Sequence, residues 1–475
     1  MATVSSRSVL RGPVRLGCMH DCRGIDGMGE AFRVLVAAGV LQSEPRLCAA
    51  SERDPSARTW CKLFHPPPDL EFADACQRSD GMDIDLRTGS TQRLPSVDLY
   101  TSGFPCQPYS LRRGSTTRML DEAEALPYFS ALLELESGRH VCLVMENVMG
   151  LCQRQYWGRS CLHTVEAQLR DAAAGHYFLC TSLGVSPHAF GQHAHRPRVL
   201  FRMVRRDRCL LSTEQEFVEA LHAADREVAA QCEMAAGLRS FTQWLLDYGY
   251  GAGAESAAGP GAATAAAAHC RCESAFPCPR AWATCPKHIC RCGPCRGGAV
   301  RSCGWVRHHA ARWAALSKAG VAPANYLRRA RTAGLPVETT LLSPRQRNLA
   351  ELVACDLATR GVDPMAADAV FDLTQTYGRH ALRWDGLVPT ITTGSKLFVM
   401  RWGRCLTNLE LFAIMGFPIR LYAPHLNVFS DTQLRRFVGN TMHPAMMGVC
   451  VYSMLSVVKA LDGDVSSDDG MDNIP

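Results

Sequence analysis

The chain has 475 residues, 47% of them hydrophobic and 20% charged, and 51 Lys and Arg against 45 Asp and Glu leave a formal net charge of +6. That length can bury a large core and suggests two or three domains. No apolar run approaches the roughly 20 residues of a membrane span and the start lacks a secretory pattern, so a soluble intracellular protein is expected. The 23 cysteines are an odd number in a chain too long to need a disulfide scaffold, which points to reduced thiols, metal ligands or a catalytic thiol.

Arg7, Arg11 and Arg15 precede the first acid, Asp21, a faint likeness to a transit peptide; a short arm, residues 1–13, is the simpler reading. From 14 to 205, short apolar runs alternate with helix-period segments, the pattern of a βαβ architecture with a parallel sheet. The strand candidates are "VRLGCM", "LCAAS", "VDLYTS", "VCLVMEN", "FLCTSLGV" and "RVLFRMV". The helical candidates between them are "GMGEAFRVLVAAG", "EAEALPYFSALLELE" and "CLHTVEAQLRDAAA"; "EQEFVEALHAADREVAAQCEMAAG" then leads away from the sheet. A Gly/Ala stretch, 251–268, reads as a flexible linker. A basic cysteine-rich block follows, with eight Lys or Arg and one acid, Glu273, between His269 and Arg312. Helical periodicity resumes near Leu342, and an apolar helix, "PAMMGVCVYSMLSVVKAL", precedes an acidic tail, 461–475, expected to be disordered.

Cys106 follows the apolar run "VDLYTS" and so belongs at the carboxyl end of a strand, where open α/β sheets place their ligand crevice. Pro105 and Pro108 restrict the backbone around it. A thiol is a strong nucleophile only as thiolate, a form that the charges of Arg112 and Arg113 would favour. A second strand, "VCLVMENV", carries an acid, Glu146, at its end, where an apolar run ordinarily avoids one. The strand "RVLFRMV" is preceded by "AHRPR", so a thiol, a carboxyl and two guanidinium groups stand at the ends of separate strands.

On these residues the chain resembles the C5-cytosine-specific DNA methyltransferase family. "GFPCQPYS" is similar to its nucleophile motif, "MENV" to its Glu-Asn-Val motif and "HRPR" to its Arg-x-Arg segment; "PTITTG", "RCLTNLELFAIMGFP" and "FVGNTMHP" are similar to its C-terminal motifs. The resemblance implies an α/β, Rossmann-like S-adenosylmethionine-dependent methyltransferase fold, with a mostly parallel twisted sheet and a smaller variable target-recognition region. It divides the chain into a catalytic domain at 14–210, the variable region at 211–380 with the linker (251–268) and the cysteine-rich block (269–312), and C-terminal motifs at 381–460 that return to the catalytic domain.

In that family the thiolate of Cys106 would add to C6 of a flipped cytosine, Glu146 would contact N3 and the exocyclic amine, and Arg196 and Arg198 would hold the base oxygen and adjacent backbone. Cofactor contacts are implied at Gly24, Gly27, Glu52, Arg53, Asp83, Ile84, Asn440 and Thr441. Arg112 and Arg113 then read better as the start of a loop that touches phosphates and closes on the substrate. Cys22 stands where the family's first motif has an aromatic, and Arg53 replaces the apolar residue expected after Glu52.

In the cysteine-rich block, Cys270, Cys272, Cys285, Cys290, Cys292 and Cys295 are candidate zinc ligands. Only Cys292 and Cys295 form a C-x-x-C pair, and the remaining spacings match no zinc module, so structural zinc and unligated thiols both stay open. The block's charge suits phosphate contacts. The family's tRNA branch carries a Cys-Phe-Thr segment, which does not occur here, so DNA is the expected substrate. The alternatives are a tRNA cytosine C5-methyltransferase and a catalytically silent nucleic-acid-binding homologue. The cell nucleus is expected if the source is eukaryotic, the cytoplasm otherwise, with a partner protein to supply targeting.

Overall fold

The computed structural model describes residues 16–106, 125–153, 159–236, 304–335, 342–375 and 382–459, together with Tyr109, residues 155–156, Thr242, Trp244 and Leu245. It divides into two compact units. The first comprises residues up to Gln192, Arg196–Gly237 and the chain from Met415 onward; the second comprises His193–His195 and Leu238–Ile414.

The first unit is built on a seven-stranded sheet. Its strands are β1 (Gly17–Asp21), β2 (Arg46–Ser51), β3 (Leu70–Phe72), β4 (Leu99–Ser102), β5 (Cys142–Val148), β6 (Tyr177–Val185) and β7 (Arg198–Arg205). They lie in the order β6-β7-β5-β4-β1-β2-β3, with β1 to β5 parallel and β7 antiparallel to both β5 and β6. Alternate residues of each strand enter opposite layers, as the two-residue strand period requires. On one face Cys18, Val144, Phe178 and Leu200 meet Met28 and Phe32 of helix α1 (Gly27–Ala37). On the other, Met19, Leu143, Met145 and Phe201 meet Tyr128 and Leu135 of α3 (Leu126–Glu136) and Val165 and Leu169 of α4 (Cys161–Ala173). Helix α2 (Pro55–Phe64) lies between β2 and β3 in sequence, capped by Asp54, whose carboxylate accepts the Ser56 N–H at 2.9 Å.

Helix α5 (Glu214–Ala236) does not lead away from the sheet. Phe217 and Leu221 are buried in the same layer as α1. Arg202, fully buried on β7, donates to Asp225 of α5 at 3.0 Å, to Ser182 of β6 at 2.8 Å and to Ser453 of α11 (Pro444–Leu455) at 2.8 Å. A buried guanidinium must be paired, and these partners tie both helices to the sheet. The short strand β3 and the hairpin Met82–Ile84/Thr91–Arg93, too brief to show a period, are not apparent in the sequence.

The second unit has helices α6 (Gly304–Lys318), α7 (Tyr326–Thr332), α8 (Pro344–Thr359) and α9 (Asn408–Ile414). Its antiparallel sheet runs β9-β8-β10-β11, where β8 is Val370–Asp372, β9 Leu382–Arg383, β10 Leu397–Val399 and β11 Arg404–Cys405. Tyr326, Leu349, Val353, Phe371 and Phe398 share its core. Buried Asp372 accepts from the Ser395 hydroxyl at 2.9 Å and the Lys396 N–H at 3.1 Å, fixing the turn of "PTITTG". The unit boundaries therefore differ from those read in sequence: residues 211–236 stay with the first unit, and 382–414 supply sheet and helix to the second.

Among the described residues no helix is long and apolar enough to cross a membrane.

Candidate active site

Strand β4 pairs with β5 so that its last residue, Ser102, lies opposite Met145. The chain that leaves β4 through Gly103, Phe104 and Pro105 thus runs beside the next residue of β5, Glu146, and carries Cys106 to it. Asn147 secures this turn: its side-chain amide donates to the Phe104 carbonyl at 3.1 Å, and its own oxygen accepts the Val148 N–H at 2.8 Å. On the other side, β7 pairs with β5 with Leu200 opposite Glu146 and Arg198 opposite Val148, which puts Arg198 diagonal to Glu146 on one face. Arg198 Nε donates to Glu146 Oε1 at 2.5 Å, and both side chains are nearly buried, 7% and 12% exposed. Arg196 Nη2 donates to the carbonyls of Gly439 and Thr441 at 3.0 and 2.8 Å, drawing in the end of α10 (Asp431–Asn440).

These side chains share one cavity of about 370 Å³, within the roughly 300–1,000 Å³ usual for small-molecule sites. It is lined by Cys106, Glu146, Arg196 and Arg198 together with Cys22, Gly24, Glu52, Arg53 and Asn440. Burial first, and then the charge of Glu146, push the Cys106 thiol above its ordinary value, while Arg198 and Arg196 oppose them. Burial, reinforced by Arg198, brings the Arg196 guanidinium down to about 9. This balance favours the protonated thiol. Its activation needs a change in that balance, and a base seated between it and Glu146 would supply one.

Gly24, which also lines the cavity, has a φ of +57°, a conformation that favours glycine. Its N–H donates to Glu52 Oε2 at 2.6 Å and the Asp54 N–H to Oε1 at 2.7 Å, so two backbone bonds hold the carboxylate at the cavity wall. Burial raises the Glu52 carboxyl above its usual range, against the pull of these two bonds.

Not every residue expected here comes to the cavity. Gly27 begins α1 and faces the C-terminal segment: a Cβ on it would stand 2.3 Å from the Met442 carbonyl oxygen, so its smallness serves packing. Asp83 lies on the hairpin and turns to Arg78, 3.6 Å from its Nε, while Ile84 is 56% exposed; neither lines the cavity, because the cation draws Asp83 inward. Asn440 lines it, but Thr441 is buried beside it, its hydroxyl on the Met442 carbonyl at 3.2 Å.

Arg112, Arg113 and the six candidate zinc cysteines lie outside the described residues. Among the described residues no group of three or more His, Cys, Asp or Glu could hold a metal ion. Two contributors are given no role by the sequence reading, although Asn147 lies within its Glu-Asn-Val motif. Asn147 follows Glu146 directly. Gly150 admits the Cys106 turn, since a Cβ there would lie 1.9 Å from the carbonyl oxygen of Tyr109, whose N–H donates to the Cys106 carbonyl at 3.0 Å.

Five parallel strands followed by a reversed β7 inserted between β5 and β6, with a glycine turn after β1 and an acid after β2, define the S-adenosylmethionine-dependent methyltransferase fold. Residues 45–231 match the model of the C-5 cytosine-specific DNA methylases. Among solved structures, the Dnmt2 methyltransferase of S. pombe is 13% identical with a TM-score of 0.44, covering 93% of this chain and 98% of its own. A DNMT2 mutant from Spodoptera frugiperda is 16% identical with a TM-score of 0.29, over 40% of this chain and 50% of its own. The Entamoeba histolytica methyltransferase EhMeth is 14% identical with a TM-score of 0.29, over 40% of this chain and 53% of its own. Comparison with curated proteins finds no match in sequence.

The family implies S-adenosylmethionine as cofactor and a nucleic acid as substrate. The residues present fit the cofactor. A Cβ on Gly24 would meet no atom within 4 Å, so the space over that turn is open, and Glu52 offers a half-buried carboxylate of the kind that receives a pair of ribose hydroxyls.

Proposed function

We propose that the chain is a DNA (cytosine-5-)-methyltransferase that works through a covalent bond between Cys106 and C6 of a cytosine turned out of its stack. What supports this reading is one observation: Cys106, Glu146, Arg196 and Arg198 line the same cavity as Gly24 and Glu52. Gly24, Glu52, Arg53 and Asn440 would hold S-adenosylmethionine, which supplies an electrophilic methyl group for C5 to take up.

The chain's own residues do the rest. C5 of cytosine is too weak a nucleophile until the thiolate of Cys106 adds to C6 and gives C5 enamine character. Glu146, held by Arg198, stabilises the charge that develops at N3 and the exocyclic amine. As a base takes the C5 proton, the electron pair of that C–H bond restores the C5–C6 double bond and expels Cys106 as thiolate. Turning the base out of a duplex costs a few kcal/mol, repaid by contacts in the cavity.

A second reading, tRNA as substrate, rests on one segment. The tRNA branch's Cys-Phe-Thr is absent, but Ser240-Phe241-Thr242 differs from it by a single atom, oxygen for sulfur. Incubation with labelled S-adenosylmethionine and either duplex DNA or tRNA, with Cys106→Ala as control, separates the readings. Label in duplex DNA that Cys106→Ala abolishes is expected. Label in tRNA alone sinks the DNA reading, and label in neither leaves a silent homologue. Structural zinc in the cysteine-rich block remains a proposal from sequence, ended by less than about one equivalent of zinc per chain.

A further inference from the structure

In the second unit several arginines have an acid beside them. Arg312 meets Asp356 at 2.7 Å, Arg329 meets Asp363 at 3.3 Å, Arg401 meets Asp368 at 3.5 Å and Arg404 meets Glu410 at 2.8 Å. Helix α7 departs from this pattern at Arg328 and Arg331. Its seven residues, Tyr-Leu-Arg-Arg-Ala-Arg-Thr, include no acid. Tyr326, Leu327 and Ala330 enter the core and turn Arg328, Arg329 and Arg331 outward, all three exposed. The nearby acid, Glu351, is buried and spent on the helix start, accepting the N–H groups of Tyr326 and Leu327 at 2.9 and 2.8 Å.

Arg328 and Arg331 are three residues apart and so neighbours on the helix surface. Among the described residues neither has a carboxylate within ion-pair distance. A third cation joins them from α8: Arg347 lies in its first turn, where a positive charge opposes the helix dipole. Burial, with Arg331 as the next cause, lowers the affinity of Arg347 for its proton, so the two guanidinium groups feel each other. The core below α7 needs neither the Arg328 nor the Arg331 charge, and like charges three residues apart on a helix raise the energy of the free protein. An anion laid across them reverses the sign.

We propose that the outer face of α7, with Arg347 at its edge, is a docking surface for the phosphate backbone of the nucleic-acid substrate. The inference rests on the proposed methyltransferase function. Guanidinium groups suit phosphate because their planar fork can give two parallel hydrogen bonds. Contacts of this kind set register and affinity and carry no sequence information.

The test measures the affinity of the full chain for a cytosine-containing duplex of about 30 base pairs against salt concentration, with a tRNA transcript alongside. For Arg328→Ala/Arg331→Ala the slope of log K against log salt should shrink by about 1.8 on the duplex, with affinity down roughly tenfold or more at low salt whatever the sequence. Arg328→Lys/Arg331→Lys should keep the slope. Arg329→Ala, whose cation already has Asp363, should change it little. Thermal unfolding, expected to be unchanged at these exposed positions, verifies the fold. An unchanged slope in the double alanine variant of the folded protein overturns the proposal. Failure of the native chain to methylate either nucleic acid would instead strike the functional reading, and the slope comparison would still decide this one.

Discussion

Gly150→Ala probes the geometry of the candidate site without touching a group that reacts. In the native chain a Cβ at 150 would stand 1.9 Å from the carbonyl oxygen of Tyr109 and 3.0 Å from its carbon, where real Cβ contacts essentially never fall below 3.0 Å. Tyr109 must therefore retreat by about 1 Å, and its N–H is bonded to the Cys106 carbonyl at 3.0 Å, so the strain passes to the turn that carries the thiol. Overpacking of this kind costs about 1–3 kcal/mol of stability, and a 1 Å misplacement of a reacting group about 100-fold in rate. The assay is a single-turnover methyl transfer at saturating cofactor and nucleic acid, with cofactor affinity measured separately by calorimetry. We expect the rate to fall about 100-fold while cofactor affinity, set by Gly24 and Glu52, stays within about twofold. A folded variant with a native rate would refute the claim that this contact places Cys106.

The balance of charges on Cys106 gives a pH test. Alkylation of this thiol, followed by mass spectrometry of its peptide, should need a pH above that of an ordinary cysteine, since burial and Glu146 raise it. Glu146→Gln should move the alkylation midpoint down and Arg198→Met should move it up; a common direction would contradict the assignment. Arg198→Met also leaves Glu146 without its partner at 2.5 Å, at a cost of about 3–5 kcal/mol for a buried pair, readable by denaturant unfolding.

Glu134 sets an acid limit on stability. Burial acts to raise its carboxyl, but His140, Arg139 and Arg78 win and hold it down to about 2. Because the folded value lies below the unfolded one, its contribution, on the order of 3 kcal/mol, is present above pH ~4.5 and lost as pH falls toward ~2. Glu134→Gln should flatten the stability profile across that window. Replacing Arg112 and Arg113 with Ala should weaken nucleic-acid binding more than it slows methyl transfer in the bound complex; a collapse of the single-turnover rate with affinity intact would show the reverse.

The sequence by itself determined six of the seven strands of the large sheet, the helices α1, α3 and α4 on its faces and the strand-end placing of Cys106 and Glu146. These follow from short-range periodicity and from the rule that a polar group closing an apolar run stands at its end. Only the tertiary structure decided what depends on register and distant partners. Gly27 answers to Met442, Asp83 to Arg78, and α5 is held to the sheet by Arg202 through Asp225. The unit boundary near 414 likewise follows from pairings across the chain, such as the Phe398 and Cys405 neighbours of β10 and β11. A glycine or an aspartate beside a motif looks the same in sequence whether it meets a ligand, a carbonyl or an arginine. The choice is made by which atoms the fold brings within about 4 Å, and by the cost of leaving a buried charge without a partner.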